Sequence, residues 1–180
     1  MSDADILETA ASWLEEEELA YVRERVPTVY VEAIPVRANH LGEVEKVGLL
    51  LRPRPDGSVS RAIVSGRVLY GETVREALWR HLTKDLGPEA DPLLPAEVAP
   101  FTIAEYFPTP ERTGFSDIRQ HAVSLVFIVP VTGECAPSQD ALEFSWLTVE
   151  DATSPLVATE MSGGQDILIR RAMAHVGRLP

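Results

Sequence analysis

Residues 121 to 131 read HAVSLVFIVPV, and no other stretch restricts the fold as strongly. His121, Val123, Leu125, Phe127 and Val129 alternate with residues that are themselves mostly small or apolar, so an extended segment here is apolar on both faces. Such a strand belongs in the centre of a sheet. Ala122 to Val131 is about half of the roughly 20 residues a membrane helix needs, so this stretch gives no membrane span. The start, Met1 to Asp5, is acidic and lacks the basic, then apolar, pattern of a signal peptide, which leads us to expect a cytoplasmic protein without a membrane partner.

Around that strand the pattern alternates between strand and helix signals. Ser12 to Arg25 reads as a helix, with capping-box spacing between Ser12 and Glu15 and a stop at Pro27. Thr28 to Arg37 and Val44 to Arg52 read as strands joined by a turn at 39–42, and Val59 to Val64 follows the turn signal Pro55-Asp56-Gly57. Thr73 to Leu86 has helical periodicity, with Val74, Leu78 and Leu82 on one face and Gly87-Pro88 ending it. A proline-rich connection at 88–100, strands at 101–106 and 142–147, a polar loop at 107–119, a short helix from Thr148 and a last helix at 165–176 complete the chain. Strands on both sides of single helices predict a mixed α/β sandwich and not a regular βαβ series. We divide it into an N-terminal helical extension, 1–26, and one domain, 27–180.

Charge narrows the function. The formal net charge is −12, which argues against a general nucleic-acid binder. From Arg52 to Arg80, however, six arginines (52, 54, 61, 67, 75 and 80) face three acids, so that segment is +3 and the remainder −15. Such an island either focuses a small anion or is a set of solvated arginines on strand edges. Cys135 is the single cysteine, so there is no internal disulfide.

Residues 66 to 87, GRVLYGETVREALWRHLTKDLG, resemble the Nudix box, G-x5-E-x7-R-E-U-x-E-E-x-G-U with U a bulky apolar residue. Gly66, Glu72, Arg80, Leu82 and Gly87 match in register. Where the pattern has three further glutamates, this chain has His81, Lys84 and Asp85, and the last apolar position is Pro88. The strands before the box, the strand from His121, and Phe144 to Leu147 with Glu150-Asp151 extend the resemblance over about 28–176. The sequence is similar to a bacterial group of such proteins with degraded boxes. The resemblance implies a Nudix-like α/β/α sandwich with a mixed sheet and an added N-terminal helix.

In the family the box glutamates share one helix face and gather Mg²⁺ against a diphosphate, where the metal activates water. Here that face presents an imidazole, an ammonium and one carboxylate. The resemblance leaves Asp85 and Glu72 as candidate metal ligands and catalytic groups, with Mg or Mn as the cofactor if the protein is active. Further acids could come from Glu105, Glu111, Asp117, Glu134 or Glu143. Alternatively Lys84 takes the metal's place and contacts phosphate directly, with Arg52, Arg54, Arg67 and Arg80 as further anion ligands and Tyr106 beside the base. A row of helical pairs, Glu76–Arg80 and His81–Asp85, explains the same residues without any ligand. Gly66 and Gly71 read as backbone turns. The reading we favour is a protein that binds a nucleotide or other phosphoanhydride-containing metabolite, its Mg²⁺-dependent hydrolysis lost or weak. Its alternatives are an active, atypical pyrophosphohydrolase of X-linked nucleoside diphosphates and a protein-interaction domain on the same scaffold. Nudix-like proteins often pair, so a homodimer is a further expectation.

Overall fold

The computed structural model describes residues 14–53, 56–137 and 143–179. Helix α1 (Glu16–Arg23) begins one turn later than the sequence predicts. Its capping box runs between Glu15 and Glu18, because the Glu18 carboxylate accepts from the Glu15 N–H. Ser12 lies outside the described residues.

The sheet is built on β1 (Thr28–Ala38) and β6 (Ala122–Pro130), which run parallel from the Thr28–Ala122 pair to the Val36–Pro130 pair. On its other side β1 has two partners. Its first half pairs with β4 (Val64–Arg67), and its last residues pair with β2 (Val44–Pro53). β2 also pairs with β3 (Val59–Ala62) and β7 (Glu143–Thr148), and β5 (Thr102–Tyr106) closes the far edge against β6. The single strand expected at 59–64 is therefore two, split at Ile63, with β3 joined to β2 and β4 joined to β1. As the sequence predicts, the 121–131 stretch is central.

Both faces of the sheet are covered. Helix α2 (Val74–Leu86) buries Ala77, Leu78, Leu82 and Leu86 against Val31, Ala33, Val64, Phe127 and Val129. On the opposite face the last helix, α5 (Gln165–His175), buries Leu168, Ile169, Ala172 and Met173 with Ile34, Val36, Val47 and Leu49. Odd and even residues of β1 thus enter different cores, as strand alternation requires. Two short helices, α3 (Val149–Ala152) and α4 (Pro155–Glu160), precede α5, and the second of them was not apparent from the sequence. Among the described residues no helix is long and apolar enough to cross a membrane.

Candidate functional site

The segment 66–87 forms a strand end, a loop and helix α2. Thr73 caps the helix: its hydroxyl accepts from the Glu76 N–H, and the Glu76 carboxylate accepts from the Thr73 N–H at 2.7 Å. Arg80, two turns on, reaches back to the loop. Its Nε and Nη2 donate to the two carboxylate oxygens of Glu72 at 2.7 and 2.8 Å, and Nη2 also donates to the Arg67 carbonyl at 3.0 Å. The Leu69 N–H donates to Glu72 as well. Burial pushes the Glu72 carboxyl up, but these bonds and the guanidinium charge outweigh it and hold the group below the usual carboxylate range.

His81 is buried, with Nε2 3.1 Å from the Arg67 carbonyl. Burial lowers its pKa, the carbonyl opposes this, and the Arg80 charge adds to the lowering, so the site disfavours the imidazolium form. The ring lies on Gly66, where an added Cβ would come within 1.8 Å of it. Gly66 is therefore not a turn residue as the sequence reading had it: it sits in β4 and makes room for an aromatic ring. Gly71, with φ 81°, does turn the chain.

These elements border a cleft of about 1070 Å³ between β1, β4, α2, β6 and the loops at 116–120 and 162–165. One wall is basic. Arg52, Arg67, Arg80, His81 and Lys84 line it, Lys84 exposed. Arg52 and Arg67 make no side-chain hydrogen bond or ion pair with another described residue, whereas Arg80 is bound to Glu72. Arg54 lies outside the described residues. Asp85 is buried and does not line the cleft, and of the other candidate acids only Asp117 does.

The floor is polar in a way the sequence reading missed. Glu32, in the middle of β1, is 2% exposed. Its two carboxylate oxygens each accept from the Tyr106 hydroxyl at 3.0 Å, and one accepts from Gln165 Nε2 at 3.0 Å. Burial raises its pKa against the pull of these donors, and burial together with the Glu32 charge pushes the Tyr106 phenol up. Tyr106 thus lines the cleft with its hydroxyl committed to Glu32 and its ring against Phe115. Phe107 is stacked on His121 at 4.4 Å and covered by Arg112. Beside the floor, Gln120 accepts from Arg23 and Thr28 and donates to Tyr30 and Asp117, which ties helix α1 to the cleft. Burial would raise the Asp117 carboxyl, but the Arg119 and Gln120 hydrogen bonds hold it at about 2. The one signal for Glu32 in the sequence was an acid inside an otherwise apolar strand, TVYVEAIPVR.

The box helix offers Mg²⁺ a poor donor set, because such sites anchor the ion on one or two carboxylates, with waters and substrate phosphates completing the shell. Both oxygens of Glu72 are on Arg80, positions 81 and 84 carry an imidazole and an ammonium, and Asp85 does not face the cleft. Among the described residues no group of three or more His, Cys, Asp or Glu side chains comes close enough to hold a metal ion.

Residues 9–178 match the family described as a domain of unknown function (DUF4916). The chain belongs to it. A crystal structure from Jonesia denitrificans, described as a possible asymmetric diadenosine tetraphosphate hydrolase, is 58% identical over 87% of this chain and 98% of its own, and superposes with a TM-score of 0.83. The Nudix domain of NrtR from Shewanella oneidensis, solved with ADP ribose, has a TM-score of 0.61 at 13% identity, over 98% of this chain and 99% of that one. A C. elegans diadenosine tetraphosphate hydrolase has a TM-score of 0.57 at 16% identity, over 84% and 98%. The fold of this DUF4916 chain is that of the Nudix superfamily. No curated protein matches it in sequence.

Proposed function

We propose that the protein binds a nucleotide or other phosphoanhydride-containing metabolite in this cleft, its phosphates on Arg52, Arg67 and Lys84, without appreciable Mg²⁺-dependent hydrolysis. The observation that carries the reading is the pairing of Glu72 with Arg80 beside a wall where Lys84 and His81 stand at the family's carboxylate positions. The wall has cations of its own to meet phosphate, and two of its guanidiniums pair with no carboxylate among the described residues. Arg80 and Tyr106, both expected as ligand contacts, also line the cleft, where Glu72 and Glu32 hold them in place. Phosphoanhydride ligands are the first to test, because the similar proteins are described with diadenosine tetraphosphate and ADP ribose.

The test is calorimetric titration of diadenosine tetraphosphate, ADP ribose and pyrophosphate, each in EDTA and in Mg²⁺, with phosphate release followed in parallel. Binding in EDTA, weakened about tenfold or more by Lys84→Glu as expected for loss of a charged contact, supports the proposal. Binding only with Mg²⁺, accompanied by turnover, overturns it in favour of an active pyrophosphohydrolase. That second reading is favoured by the description of the Jonesia protein.

A further inference from the structure

Resting on this anion site, we infer that His81 is a positioning residue for it: the ring N–H fixes the main chain of Arg67 and so sets where the Arg67 guanidinium meets phosphate. Arg67 is the last residue of β4, opposite Tyr30. Beyond it the chain leaves for the Leu69–Glu72 loop, so its carbonyl depends on donors from elsewhere. It receives two from one helix, Arg80 Nη2 at 3.0 Å and His81 Nε2 at 3.1 Å. The partner assigns the tautomer, because a carbonyl oxygen only accepts and Nε2 must therefore carry the proton.

Two further observations make His81 the specific element of this clamp. The ring fills the space over Gly66, where a Cβ at position 66 would collide with it at 1.8 to 2.3 Å. The Arg67 side chain, in turn, makes no hydrogen bond or ion pair with another described residue, so its backbone is what fixes its place in the cleft. A glutamate, which the family pattern has at this position, offers acceptors only and leaves the carbonyl without this donor. Position 81 has therefore exchanged an acceptor for a donor. That exchange suits a site in which an arginine, and not a metal, meets the phosphate.

The test measures pyrophosphate affinity by calorimetry in EDTA, with thermal unfolding to confirm that each variant folds. His81→Leu is expected to weaken binding about fivefold, the size of one lost hydrogen bond, while His81→Gln, which keeps an amide N–H, stays within about twofold of wild type. Gly66→Ala, which displaces the ring without removing it, behaves like His81→Leu. In the double-mutant cycle, His81→Leu adds no further loss on an Arg67→Ala background. Additive losses, equal losses for the Leu and Gln variants, or unchanged affinity in His81→Leu overturn the inference while leaving the anion site standing. A wild-type protein that does not bind pyrophosphate, or an Arg67→Ala variant that binds it normally, overturns the anion site and this inference with it.

Discussion

Glu32 illustrates what a single residue costs and supplies. A carboxylate at the bottom of a cleft loses its hydration and regains part of that loss from Tyr106 and Gln165. Its pKa is raised from the ordinary 4.5, so the native state holds the proton more tightly than the unfolded chain does. By linkage, this residue's contribution to stability is fully present below the unfolded pKa and is lost as pH rises through the folded one. Glu32→Gln removes that titration. The difference in unfolding free energy between the variant and wild type should therefore shift in the variant's favour as pH rises from about 4 to 8. Urea unfolding at several pH values checks this, and a difference that is flat with pH would show that Glu32 is not titrating above its ordinary range.

At the scale of elements, helix α2 carries one wall of the cleft, and its start is fixed by a reciprocal cap. Thr73→Ala removes the hydroxyl that accepts from Glu76 and should cost about 1 kcal/mol, read as a lower urea midpoint with an unchanged slope. An unchanged midpoint would mean that packing of Leu78, Leu82 and Leu86 alone holds the helix. This helix and the long strands were legible in the sequence because apolar spacing, caps and turn residues are local signals. The division of 59–67 into β3 and β4 was not, since it depends on which strand each half meets. The floor was illegible for the same reason: Glu32 binds Tyr106 and Gln165, 74 and 133 residues along the chain. The substitutions in the box were plain to read, but their consequence was not. Only the structure places Glu72 on Arg80, His81 on Gly66, and Asp85 away from the cleft.

For the molecule as a whole, the opposition is between a basic wall and a chain of net charge −12. An anionic ligand is attracted by charges it touches and repelled by many it does not. Salt separates the two, because the screening length falls from about 30 Å at 0.01 M to about 8 Å at 0.15 M, which removes distant charges first. Glu17 and Glu150 are exposed, and neither lines the cleft. Replacing both with lysine should raise pyrophosphate affinity about two- to threefold at 0.01 M salt and leave it unchanged at 0.15 M. Arg67→Ala should weaken binding at both, because a contact guanidinium is screened far less than a remote one. Calorimetry across that salt range reads both effects. If the remote pair matters equally at high salt, the ligand is not held by the wall. If neither substitution matters at any salt, the acidic surface itself becomes the site of interest, and a protein partner replaces the phosphate ligand as the working idea.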